Sequence, residues 1–211
     1  MVERYFLSLM KKIILLFFIS AMSVLAYSQD VIVDVTDEYY PVNPFVDKFS
    51  EFLKGLINNP FLSEKSIHKR TDSTLFFFKG KYGLQNPFSF QPSKIEVILA
   101  ESEMELSDSA SLKDTILVYQ LIAYSEKSLQ TVKTEFNRFE REFGKRFSNS
   151  TNSDIVSEGK VEGSTHNYFL KMSRLSPLSF SWGKMSSNEY ACIITIRFIV
   201  KQNEALMPLV Y

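Results

Sequence analysis

Glu101, Glu103 and Glu105 alternate at the end of the run KIEVILAESEMELSD, and Asp108 follows three positions later. On a strand that spacing turns the three glutamates to one face, where carboxylates ligate Ca²⁺ or serve as the acid and base of a glycosidase. The glycine-bearing loop of a helix–loop–helix calcium site is missing, and no second acid completes a glycosidase pair. A solvated acidic loop is the stronger reading of these residues.

Histidine chemistry rests on His68, in SIHKR, and His166, in STHNY. A structural metal site needs about four nitrogen, sulfur or oxygen ligands, usually in close sequence pairs. HxH, HExxH and CxxC are all absent from the chain, so no metal is expected. The one thiol, Cys192, falls between Tyr190 and Ile194 on the apolar side of a strand pattern, where burial raises a thiol's pKa and makes it inert. G-x-S-x-G does not occur. S-x-x-K does, at Ser66/Lys69 and Ser181/Lys184, but without the S-D-N and K-T-G partners of the penicillin-recognising enzymes. The 7 glycines form neither G-x-G-x-x-G nor G-x-x-x-x-G-K, which leaves nucleotide cofactors without a phosphate cradle. No catalytic residue and no cofactor is expected, and the chain reads as a non-enzyme.

The aromatic residues are the feature these exclusions leave over. There are 19 Phe and 10 Tyr, dense between Phe61 and Phe90, and the only Trp lies in LSPLSFSWGK. Phe76, Phe78, Tyr82, Phe88, Phe90 and Trp182 stand near Lys and Arg, and such rings give large contact area for a protein, peptide or glycan at small entropic cost. The competing account makes the same rings the core of a phenylalanine-rich sheet.

The elements that would position these groups follow from periodicity. Residues 30–40, DVIVDVTDEYY, alternate Val31, Val33 and Val35, which predicts a short strand or a tether. NPFVDKFSEFLKGLINNP predicts a helix capped at Asn43, with Phe45, Phe49, Phe52, Leu53, Leu56 and Ile57 on one face. STLFFFKGKY, KIEVILAE and DTILVYQLIAY predict three strands, the last two joined by an exposed acidic, serine-rich loop. SEKSLQTVKTEFNRFEREFGKRF predicts an amphipathic helix, with Leu129, Val132, Phe136, Phe139, Phe143 and Phe147 as its seam, Ser125 as its cap and Glu142–Arg146 as an i,i+4 pair. SNSTNSD then reads as a break of turn formers. Strands follow at 156–161, 167–175, 178–182 and 190–200, and in the last of these Tyr190, Cys192, Ile194, Ile196, Phe198 and Val200 share one face.

Helix, three strands, helix and about four more strands do not alternate as parallel βαβ units require. The fold class expected is α+β: a mostly antiparallel β-sheet with two amphipathic helices packed on one face. The helix-then-strands order occurs twice, although no repeat is visible in the residues.

Lys11-Lys12 precede an apolar run, Ile13 to Ala26, broken only by Ser20 and Ser23. A bilayer-spanning helix needs roughly 20 apolar residues, and this run falls short of that. Ala26 and Ser28 stand three and one positions before Gln29, the spacing of a signal-peptidase site. The domain reading is therefore 1–28 a cleaved secretory signal peptide, 29–44 an N-terminal segment or tether, and 45–211 a single α+β domain. With no Cys at the cleavage point, a lipoprotein is not expected. The single Cys also forms no internal disulfide, which fits the periplasm or cell surface of a Gram-negative bacterium. Lys plus Arg and Asp plus Glu are both 24, so the basic excess of a nucleic-acid binder is missing. The expected function is an exported, non-catalytic binding or scaffolding role toward an unknown protein or ligand of the envelope, with no stable membrane span after cleavage. The alternatives are an envelope hydrolase built from His68, His166 and the Glu101–Asp108 acids, or a carrier of an apolar ligand.

Overall fold

The computed structural model describes residues 30–45, 48–71, 75–83, 86–102, 116–171, 175–186, 188–200 and 206–208. The expected leader and cleavage point, and Glu103, Glu105 and Asp108, lie outside the described residues. Among the described residues no helix is long and apolar enough to cross a membrane.

The fold is α+β. A helix over residues 30–39 (α1) is followed by α2 (Phe49–Asn58), then by strands β1 (Leu62–His68), β2 (Phe77–Tyr82), β3 (Lys94–Ser102) and β4 (Ile116–Ser125). Helix α3 (Leu129–Glu142) and a 3-10 turn (Gly144–Arg146) lead into β5 (Asn149–Ser157), β6 (Lys160–Phe169), β7 (Leu178–Ser186), β8 (Glu189–Val200) and β9 (Leu206–Pro208). One sheet carries every strand, in the order β1-β2-β3-β4-β8-β7-β6-β5. Two four-stranded meanders, each preceded by a helix, thus meet along the β4–β8 seam. All pairings are antiparallel, and β9 pairs Phe198–Val200 of β8, beyond the reach of β7.

Alternation along the central strands decides the core. Leu117, Tyr119, Leu121 and Ala123 of β4 pair with Phe198, Ile196, Ile194 and Cys192 of β8, and all eight are buried in one cluster. The alternation expected for residues 190–200 is therefore observed, with Tyr190 and Val200 packed at its margin. Helix α3 enters this cluster through Val132, Phe136 and Phe139, α2 through Phe52 and Leu56, and α1 through Val31, Ile32, Val35 and Tyr39.

The first helix corrects the strand or tether expected for 30–40. Its buried positions 31, 32, 35 and 39 follow helical spacing as well as Val31, Val33 and Val35 follow a strand's, and packing resolves the tie. Tyr39 meets the rings of Phe88, Phe139 and Phe143, while Tyr40 Oη donates to the main-chain carbonyls of Tyr119 and Ile194 at 3.1 and 2.7 Å. Among the described residues there are thus three helices where two were expected.

Other expectations shift at their ends. Asn43 does not cap α2: its side chain accepts the Phe45 N–H in a local turn, and the helix begins at Phe49. Helix α3 is capped by Ser128, whose hydroxyl accepts the Thr131 N–H, while Ser125 serves the Lys127 N–H. Helix α3 stops at Glu142, so Glu142 pairs with Arg138 inside the helix and Arg146 reaches Asp34 at 2.7 Å. SNSTNSD is no break, because it forms most of β5. The strand expected at 156–161 straddles the turn between β5 and β6 at Glu158 and Gly159, with φ of 50° and 74°, and the one expected at 167–175 covers only the last three residues of β6. That two-residue turn with both φ positive is the tight hairpin form that favours glycine at its second position. Neither β1 nor β9 was expected.

Candidate functional site

The six aromatic residues expected to form a binding surface lie in the core or against it. Phe78, Tyr82, Phe88, Phe90 and Trp182 are each at most 9% exposed, and Phe76 packs half-buried against the same core. Ring-on-ring contacts fill this interior: Phe136 with Phe180 at 5.4 Å, Phe139 with Phe180 at 4.9 Å, Phe52 with Tyr119 at 5.4 Å. Burying rings of this size gains more than displaying them, which is why the phenylalanine-rich run reads as core once the sheet is formed. Trp182 keeps one peculiarity. Its indole N–H is buried without a hydrogen-bond partner among the described residues, and Lys133 Nζ lies 5.4 Å above the ring.

The residues singled out for catalysis are dispersed. His68 is exposed on edge strand β1, and His166 lies on β6, with five strands between them in the sheet. The His166 ring stacks on Phe136 at 4.2 Å, and burial holds its pKa below the usual value against the opposing pull of Glu140 and Asp154. Glu101 accepts the Phe76 N–H at 2.8 Å and pairs with Arg70 at 3.3 Å, a link between strands. Cys192 donates to the Val132 carbonyl, and burial followed by Glu135 pushes its thiol well up. Two charged groups that the seam pattern concealed are better connected. Fully buried Glu135 accepts from Tyr39 at 3.1 Å, from Arg138 at 2.8 Å and from the Ser89 N–H at 2.8 Å. Arg138 goes on to Glu38, Glu142 and the Pro87 carbonyl. Every partner in this network belongs to α1, α3 or the 86–90 loop, so it ties those three together and offers nothing to a substrate.

The surface feature that stands apart is at the far end of the sheet. Val156 (59% exposed), Ile155 (56%), Met185 (51%) and Val161 (46%) are large apolar side chains left in water. Register collects them. Val156 pairs with Val161, Ile155 with Gly163, and Gly163 with Gly183, while the Glu162–Lys184 ion pair at 3.3 Å carries the register on toward Met185. The register shift between Ile155 and Val156 leaves Glu162 of β6 as the extra residue, so Val156 stands opposite Val161 and Ile155 opposite Gly163. The two glycines form a trough beside them: a Cβ on Gly163 would stand 2.7 Å from the Trp182 carbonyl oxygen, and one on Gly183 2.9 Å from Gly163 Cα. Nearby, Glu126, Lys127, Ser186, Asn188, Glu189 and Tyr190 line an open hollow of about 590 Å³.

The sequence reading missed this patch because Asn149–Asp154 looked like turn formers. The usable signal was Val156 and Val161 flanking Glu158-Gly159, an apolar pair closing an x-Gly hairpin turn. Among the described residues no group of three or more His, Cys, Asp or Glu is placed to hold a metal. No protein-family model, no curated protein and no solved structure matches this chain.

Proposed function

We propose that this is an exported, non-catalytic binding or scaffolding protein of the Gram-negative envelope, engaging a protein or ligand partner in the periplasm or at the cell surface. The address rests on the leader, with its basic pair, short apolar run and small residues before Gln29. The binding role rests on one observation: Ile155, Val156, Val161 and Met185 are large apolar residues exposed on the neighbouring strands β5, β6 and β7, with Val156 paired to Val161. Single exposed apolar residues are ordinary, whereas a cluster marks a contact surface.

A layered arrangement supports the same reading. The helices meet residues of one sheet face: Phe52 against Tyr119 and Phe198, Phe139 against Phe180 and Tyr168. The opposite face carries half-buried Ile98, Gln120, Ile193 and Ser181. We read the fold as a sheet with its helices on one side and a partner-facing side on the other.

The test uses wild type and a Val156→Glu/Val161→Glu variant as matched baits on envelope fractions, with the N-terminus of the exported protein sequenced in parallel. A partner held by wild type and lost by a variant of unchanged melting temperature, together with a start at Gln29, is the expected result. Identical captures by the two baits, or retention in the cytoplasm with an intact leader, would overturn the proposal.

A further inference from the structure

The sheet ends in two strands that treat their free edges differently. An outer strand presents a row of unsatisfied N–H and C=O groups, which recruits another strand unless charge, proline or a bulge prevents it. β1 is blocked in this way. Its register shifts between Ser63 and Ser66, Glu64 sits at φ 50°, and Lys65 is drawn back onto the Ile57 and Asn59 carbonyls at the end of α2. β5 has no such protection over most of its length. All nine residues, NSTNSDIVS, are exposed, none is Lys, Arg or Pro, and Asp154 is the only charge.

We propose that β5 pairs antiparallel with β5 of a second copy of this chain, about a two-fold axis near Ser153 and perpendicular to the sheet. With Ser153 facing its own copy, Asp154 stands opposite Asn152, an amide able to donate to the carboxylate, and Thr151 stands opposite Ile155. No charge directly opposes its like, and β-branched residues face one another, which is the favourable pattern for cross-strand pairs. A second copy fits this edge better than a head-to-tail neighbour does. An open filament needs β5 of one copy to accept β1 of the next, and β1 is closed by its bulge and by Lys65, so the isologous contact alone remains and it terminates growth. The axis also sets the Ile155 side chains of both copies on the same side of the joined sheet, flanking the seam. This pairing stands independently of the envelope partner, because it uses the backbone edge of β5 and is read by mass.

Sedimentation velocity of the purified protein across a concentration series is the test. The expected result is a dimer that Thr151→Lys/Ser153→Lys weakens by about tenfold or more, through like charges set across the axis, at unchanged circular dichroism. Ser63→Lys on β1 leaves the dimer intact. Ser153→Cys, oxidised, gives a covalent dimer, since the native thiol of Cys192 is buried. A monomer at every concentration overturns the proposal. So does a dimer that survives the paired lysines and does not cross-link through Ser153→Cys.

Discussion

The Glu135 network and the β5–β6 hairpin handle unfavourable groups in opposite ways. Around Glu135 a carboxylate is fully buried and its oxygens are used by Tyr39, Arg138 and Ser89, while burial and then Glu135 push the Tyr39 hydroxyl well up. In the hairpin Ile155, Val156 and Val161 stay about half in water, as Met185 does on the adjoining β7. Buried charge is tolerated only when it is paired and hydrogen-bonded, so the first region can change little without loss of the fold. Exposed apolar residues contribute little to stability, so the second region is free to be shaped by contact. Under the proposed function, stability and recognition are thereby placed in different parts of the molecule.

Truncation of the helix seam should break the comparison most strongly. Phe139→Ala removes a fully buried ring that touches Tyr39, Phe143, Tyr168 and Phe180, and is expected to cost about 3–5 kcal/mol in denaturant unfolding. Arg138→Met leaves Glu135 as a buried carboxylate without its cation and should cost about 3 kcal/mol, part of which Glu135→Leu in the same chain restores. Gly183→Ala, which drives a Cβ into the Gly163 backbone, is expected to lower stability by about 1–3 kcal/mol and to disturb the trough beside the patch.

Acid separates the two regions more gently. Because burial lowers the His166 pKa in the folded state, the unfolded chain binds the proton first. Its contribution is therefore complete above the unfolded value of about 6.5 and declines as pH falls toward the folded one. Melting temperature followed from neutral to mildly acidic pH should fall less steeply in His166→Gln than in wild type. The smallest effect is expected at the patch itself: Val156→Ser should leave stability within about 0.5 kcal/mol while weakening partner capture. A large loss of stability there would erase the contrast between the two regions.

Legibility followed the strength of the local pattern. β3, β4, β8 and α3 were readable because many apolar residues repeat at one period, and each of these elements lies against the core. α1 was not, because Val31, Ile32, Val33 and Val35 satisfy two periods at once. β1 and β5 are edge strands with polar, exposed side chains, and their backbone pairing rather than any side-chain pattern makes them strands. The six candidate aromatics were identified by composition, which counts rings without saying which face they join.

Taken alone, the residues determined the α+β class, the apolar faces of α3 and β8, and the inert setting of Cys192, since these depend on short-range periodicity and side-chain type. The tertiary structure decided that Phe78 and Trp182 are core, that His68 and His166 lie apart, and that Glu135 accepts hydrogen bonds from residues of three segments. It also decided that Ile155, Val156, Val161 and Met185 come together. Those outcomes depend on which strands become neighbours, a property of long-range pairing that no local window of sequence carries.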